Sequence, residues 1–207
     1  MLQSNFLQRK KDILEKSDKS SKKSWDEKII ELCNLINNSE NYYTTSSCAG
    51  RIVLMKDENK KGSGLFLKVW HDEIGFEEFD TLRAYPEKFF SRIFTEGKKE
   101  LDNLMSKGMI KFKMEPPILH IACKNLECAS ELLENAKHIG FKRSGINTIS
   151  KNILLELNST EKLEFPIVKD GKILVNDEFL KIIVEKSNFL LEKGWEKIKK
   201  LEEFFEN

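Results

Sequence analysis

The chain has 207 residues, 40% of them hydrophobic, with 35 Lys and Arg against 34 Asp and Glu, for a formal net charge of +1. That length buries one good-sized core or two smaller halves, and the near-neutral balance excludes a bulk polyelectrolyte binder, so any nucleic-acid surface has to be local. No stretch approaches the roughly 18 uninterrupted apolar residues of a membrane span, and the charged opening MLQSNFLQRKKDILEK lacks the apolar run of a signal peptide, so a soluble, cytoplasmic protein is expected.

Taken in chain order, residues 5–16 read as a helix, and Ser24-Trp25-Asp26-Glu27 reads as a capping box opening a second one. Ile29, Ile30, Leu32, Cys33, Leu35 and Ile36 supply the apolar side of that helix, which is expected to stop near Asn37-Asn38. A strand follows over Tyr42 to Ser46, then a hairpin of RIVLMK (51–56) and LFLKVWH (65–71) joined by the polar loop DENKKGSG. Residues 76–107 read as one or two helices, with Pro86 as a helix start and Gly108 as a stop. Two more strands, MIKFK and ILHIACK, flank Glu115-Pro116-Pro117. An amphipathic helix from Leu126 to Ile139 ends at Gly140, the residue type best able to adopt the left-handed conformation of a helix C-terminus. The strand-like runs INTIS, NILLELN and KLEFPIV come next, and residues 177–205 form a long terminal helix. No long Gly/Ser/Pro linker interrupts this order, so the expectation is a compact single domain over 1–207, α+β in class, with a mixed, largely antiparallel sheet and flanking helices.

Several chemistries are disfavoured by what the chain lacks. The only close glycines, Gly62-Ser63-Gly64, sit in a hairpin loop with no helix behind them, so neither a P-loop nor a dinucleotide fingerprint is supported. Cys33, Cys48, Cys123 and Cys128 contain no CxxC pair, and His71, His120 and His138 lie far apart, so no metal is expected and the cysteines read as reduced thiols. The stretch YYTTSSCAGR (42–51) is different in kind. It crowds hydroxyls, a thiol, a Gly and an Arg into ten residues with no carboxylate. Cys48 is a candidate nucleophile if His71 or His120 serves as its base, or else a small packing thiol. His120, between Leu119 and Ile121, faces opposite to them, either as a satisfied core histidine or lining a site. Tyr42, Tyr43 and Trp70 offer flat faces for stacking. The segments 41–56 and 135–155 carry no acid at all, and the second holds Lys137, Lys142, Arg143 and Lys151. Together these features point to an anionic or nucleotide-like ligand.

SWDEKIIELCNLINNSENYYTTSSCAGRIVL closely resembles the signature region of the tRNA wybutosine-synthesizing protein 3 family, and the likeness continues through LKVWH, MEPPILHIAC, AKHIGFKRSGI, LEFPI and the helix beginning near VNDEFL. The resemblance covers essentially the whole chain in order. It implies an S-adenosylmethionine-dependent methyltransferase outside the Rossmann type, acting at the N4 nitrogen of the tricyclic guanosine derivative at position 37 of phenylalanine tRNA. Positions matching the family's motifs are Ser46, Ser47, Cys48, Gly50 and Arg51; Lys68, Trp70 and His71; Glu115, Pro116 and His120; and Ser144 and Gly145. On this reading Ser46, Ser47, Cys48, Gly50, Arg51, Trp70, Ser144 and Gly145 are expected to hold the cofactor, and His71 or His120 to accept a proton. Lys68, Lys142, Arg143 and Lys151 are expected to meet the anticodon stem-loop of the tRNA. Leu157-Asn158-Ser159 departs from the family, which is expected to carry Ile-Arg-Ser there. Two other classes compete: a non-catalytic RNA-binding module and a Cys48-dependent enzyme.

Overall fold

The structure, a computed structural model, describes residues 2–15, 25–57, 64–79, 108–149 and 152–206. The expected helices around Pro86, Gly62 and Ser63 of the polar loop, Ser24 and Lys151 lie outside the described residues. The chain packs as two units, one within Met1–Gly50, Pro116–Thr160 and Lys193–Asn207, the other within Arg51–Glu115 and Glu161–Glu192. Two of the chain's passages from one unit to the other therefore fall inside motifs read from the sequence, at Gly50-Arg51 and at Glu115-Pro116.

The first unit is built on a four-stranded antiparallel sheet of β1 (Tyr42–Cys48), β5 (Ile118–Cys123), β7 (Ile153–Asn158) and β6 (Gly145–Thr148), in that spatial order. One face is apolar, with Leu119, Ile121, Leu155 and Leu157 fully buried, because period-two alternation sends every second residue of β5 and β7 to the same side. Against it pack α2 (Ile30–Asn38), α3 (Leu126–Ile139) and the end of α4 (Asp177–Glu206), through Leu32 and Ile36, Ala129 and Leu132, and Ile198 and Leu201. The α3 boundaries match the sequence reading for local reasons. Asn125 caps the first turn by accepting from the Cys128 amide at 2.8 Å, and Gly140 closes the last at φ 125° while donating to the Ala136 carbonyl. At the α2 entrance, the capping hydroxyl expected of Ser24 lies outside the described residues. A 3-10 turn, Glu27–Ile29, precedes the helix, and the Asp26 side chain makes no capping bond, accepting instead from the Ala49 amide at 3.0 Å. The opposite face of the sheet is covered at one end by α1 (Leu2–Leu14), where the Phe6 and Tyr43 rings lie 5.2 Å apart and Arg9 donates to Asn152.

The second unit is a five-stranded antiparallel sheet in the order β3 (Gly64–Trp70), β2 (Arg51–Asp57), β4 (Met109–Glu115), β8 (Leu163–Lys169), β9 (Lys172–Ile173). Its apolar side carries Ile52, Leu54, Ile110, Phe112 and Met114, all buried. Aromatic packing continues that core: Phe112 stacks on Phe165 at 5.6 Å and 2°, and Phe165 meets Phe179 of α4 edge-on at 5.5 Å. Asn188 of α4 ties down the loop after β3, accepting from the Ile74 amide and donating to its carbonyl. All strand pairs in both sheets are antiparallel. The expected α+β class with antiparallel sheets and flanking helices is thus observed, and the parallel sheet of a Rossmann fold is absent from the described residues.

Candidate functional site

The hydroxyl-rich stretch lies within β1, which carries the strand expected over Tyr42 to Ser46 on as far as Cys48. Tyr42 and Thr44 face the helices: the Tyr42 hydroxyl donates to the Cys128 carbonyl at 3.0 Å, and Thr44 takes hydrogen bonds from and to Asn37 of α2. Unbroken alternation would send Ser46 to the same side. A bulge between Thr44 and Ser46 reverses the sides, because the extra residue shifts every later side chain by one position. Ser46 therefore emerges opposite His120 on the polar face, and Ser47 turns inward, where its hydroxyl accepts from the Cys33 thiol at 3.4 Å.

The register then aligns one polar row across the whole sheet. Ser46 pairs with His120, His120 with Glu156, and Glu156 with Gly145. Ser46 Oγ lies 2.6 Å from His120 Nδ1, and His120 Nε2 lies 3.1 Å from Glu156 Oε2. Asn147 Nδ2 donates to the same Glu156 oxygen at 3.0 Å. The hydrogen bonds from Asn147 and then His120, with a further one from Asn158, hold the Glu156 carboxyl below the usual carboxylate range despite partial burial. Asn158, where the resemblance led us to expect Arg, thus supports Glu156. The row is solvent-accessible: Ser46 is exposed, and the His120 and Glu156 side chains are 30% and 27% accessible.

The other predicted residues of this unit divide by role. Cys48 is a half-buried thiol at the end of β1, and the two nitrogens of His120 are already engaged by Ser46 and Glu156. Burial pushes the Cys33 and Cys123 thiols up to about 11 and about 12, as expected of packing residues. Gly50 takes φ 97°, which only glycine adopts without strain, but the neighbouring Ala49 amide already faces a resident carboxylate, Asp26. The Ala49 carbonyl accepts from Trp195 Nε1 at 3.1 Å, so both backbone polar groups of Ala49 are satisfied. Ser144 is buried, donating to the Phe141 carbonyl at 2.6 Å and accepting from the Asn158 amide at 3.0 Å, which pins the turn to β7. Gly145 has neither a left-handed φ nor a crowded environment; a Cβ there would meet nothing within 4 Å, so it leaves space beside Glu156. Lys142 and Arg143 are exposed on that turn.

In the second unit Arg51 opens β2 opposite Glu115. Its Nε donates to Glu115 Oε2 at 2.7 Å, and its guanidinium carbon sits 4.8 Å from the centroid of Phe66, an exposed ring. The Nη groups have no partner among the described residues and present a fork suited to a carboxylate or phosphate. Lys68 Nζ lies 5.8 Å from the Trp70 ring, Trp70 Nε1 donates to Glu78 at 3.3 Å, and His71 follows immediately after β3. Sequence reasoning missed Glu156, Asn147 and Phe66. Glu156 lies between Leu155 and Leu157 and so reads as an ordinary solvent-facing acid until the strand register is known.

Comparison with known proteins bears on the whole chain. A Thermococcus sibiricus protein named tRNA(Phe) 7-((3-amino-3-carboxypropyl)-4-demethylwyosine(37)-N(4))-methyltransferase is 38% identical, covering 98% of this chain and 95% of the relative. A Methanocaldococcus jannaschii protein of the same name is 40% identical over 83% of this chain and 81% of its own. A solved structure of a Pyrococcus horikoshii protein superposes with a TM-score of 0.79 at 34% identity, covering 99% of this chain and 97% of that one. The family model described as Methyltransferase TYW3 matches residues 8–207. The chain belongs to the TYW3 methyltransferase family.

Proposed function

We propose that this protein methylates the N4 nitrogen of the 7-(3-amino-3-carboxypropyl)-4-demethylwyosine nucleoside at position 37 of tRNA(Phe), using S-adenosylmethionine. The observation that carries this reading is the full-length family match, in which relatives of that printed name align over nearly the whole chain. When bound, S-adenosylmethionine would supply an electrophilic methyl group on a sulfonium centre, already activated, with the electron pair of the carbon–sulfur bond left on a neutral thioether.

The residues present fit such a donor. The Nη fork of Arg51 suits its carboxylate, and the faces of Phe66 and Trp70 suit a cation or an aromatic base. Because the methyl group arrives activated, the protein's work is positioning and proton removal, and no protein nucleophile is required. In the first unit, Ser46 and His120 form the hydrogen-bonded pair available to the reacting nitrogen. Ser47 and Ser144 support this pair from within the unit, as inward-facing hydroxyls that hold β1 and the turn before β6, while the open position at Gly145 leaves room at the end of the row. Lys142 and Arg143, together with Lys151, contact phosphates of the anticodon stem-loop, as Lys68 does from the second unit. Among the described residues no helix is long and apolar enough to cross a membrane, which fits a cytoplasmic site of action.

The test is mass spectrometry of nucleosides from tRNA(Phe) of a strain lacking this gene. The expected result is an undermethylated tricyclic nucleoside at position 37; normal methylation there contradicts the reading. A Cys48-dependent route is separated by Cys48→Ala, which should leave measurable methyl transfer.

A further inference from the structure

We infer that Glu156 is a positioning residue that fixes the tautomer of His120 and thereby makes the Ser46 oxygen the group that accepts the proton of the target nitrogen. The inference rests on the methyl-transfer reading above and deepens it, since neither the sequence motifs nor the relatives' names assign a role to Glu156.

The direction of the hydrogen-bond chain follows from the donor inventory of three side chains. A carboxylate only accepts, so the His120 nitrogen 3.1 Å from Glu156 Oε2, Nε2, carries the hydrogen. The neutral imidazole then has a bare Nδ1, and the contact 2.6 Å away must be a hydrogen bond donated by the Ser46 hydroxyl. With its only hydrogen directed at His120, Ser46 presents lone pairs to whatever lies over the exposed face, and those suit an N–H. Asn147 donates to the same Glu156 oxygen and holds the carboxylate in this orientation. The bulge before Ser46 is part of the device, because without it the hydroxyl would face the helices.

The proton balance is simple. As the target nitrogen forms its new bond to carbon it becomes cationic, and its N–H proton passes to Ser46 Oγ. The proton of Ser46 moves in the same step to His120 Nδ1, leaving an uncharged hydroxyl and an imidazolium whose Nε2–H stays on Glu156. Solvent then takes the proton from the exposed edge of the row. Ser46 forms no covalent bond to carbon at any stage. Without the Glu156 carboxylate, the Nδ1–H tautomer becomes accessible, Ser46 must turn its hydrogen outward, and it meets the substrate N–H donor to donor.

Nitrogen-15 NMR of the imidazoles in the ligand-free full-length protein, at a pH where His120 is neutral, tests the premise directly. The expected spectrum has His120 as the Nε2–H tautomer alone; an Nδ1–H tautomer in the wild type overturns the inference. In Glu156→Gln, whose amide can also donate, an Nδ1–H population should appear, and the rate of methyl transfer should fall on the order of 10- to 100-fold with KM for tRNA little changed, while Glu156→Asp restores part of it. An unchanged rate, or a KM effect with kcat preserved, overturns it as well. A wild-type protein that transfers no methyl group but shows the Nε2–H tautomer contradicts the proposed reaction and the proton relay built on it, whereas wild-type transfer with Nδ1–H contradicts only the present inference.

Discussion

On the first unit's sheet the polar row from Ser46 to Asn147 holds a single full negative charge, Glu156, and its hydrogen bonds converge on that carboxylate, from Ser46 through His120 on one side and from Asn147 on the other. On the second unit's sheet the polar residues are ion pairs that close on themselves. Lys111 bridges Asp57 at 2.8 Å and Glu164 at 3.4 Å, and Lys113 and Lys162 meet the same Glu164 at 3.3 and 3.1 Å. Every charged group of this network, three lysines and two carboxylates, meets at least one opposite charge, so it solvates and aligns strands without offering an unmet group to a ligand. Arg51 differs from these lysines, because one carboxylate engages only its Nε and leaves the fork uncommitted among the described residues. The contrast separates polarity that maintains a fold from polarity that can act. The first kind is mutually satisfied charge, and the second is a polarised chain ending in an exposed group.

Three changes probe that contrast, from the largest effect to the smallest. Arg51→Ala removes the uncommitted fork and should weaken binding of S-adenosylmethionine about 10- to 100-fold by calorimetry, the size of a charge-assisted contact. Intact donor binding with lost tRNA binding would move Arg51 to the RNA side, and loss of neither would return it to the structural ion pairs. The second change is acid. Glu156 is lowered by its hydrogen bonds from Asn147 and His120; burial pushes Glu164 up, but its contacts with Lys162 and Lys113 outweigh that and leave it lowered too. A carboxyl depressed in the folded state contributes stability that is present above its unfolded value and lost as pH falls through the folded one. Denaturant midpoints should therefore fall below the ordinary carboxylate range, and Glu156→Gln or Glu164→Gln should each flatten that decline. The smallest effect belongs to Lys111→Ala, about 0.5 kcal/mol of stability at neutral pH because both ends of its pairs are partly exposed, with methyl transfer unchanged. A large loss of transfer in that variant would show that the ion-paired face also takes part.

Much of this was legible in the chain, for identifiable reasons. The helix from Leu126 to Ile139 is bounded by an Asn cap and a Gly stop, both local signals, and its limits are those observed. The strands of Leu119, Ile121, Leu155 and Leu157 announce their buried face by alternation. What the sequence hides is register. The bulge at Thr45 has no Gly or Pro to mark it, yet it decides that Ser46 rather than Ser47 joins His120. Glu156 enters the row through its pairing with His120, 36 residues earlier in the chain, and Asn147 through Glu156 on the neighbouring strand, and neither pairing is marked by residue type. Likewise Asp26 reads as part of a capping box, whereas tertiary packing turns it onto the Ala49 amide. Residue types near the motif were therefore readable as candidates for a ligand site, and the order of the hydrogen bonds among them was not.

The central claim is that the Ser46–His120 pair performs proton removal during methyl transfer. It is tested most directly with purified protein, undermethylated tRNA(Phe) and S-adenosylmethionine carrying a labelled methyl group, comparing wild type and His120→Ala in single turnover. The account predicts label at position 37 with the wild type, and a rate lower by about 100- to 10,000-fold in the variant with tRNA and donor binding retained. Transfer by His120→Ala at the wild-type rate would contradict it.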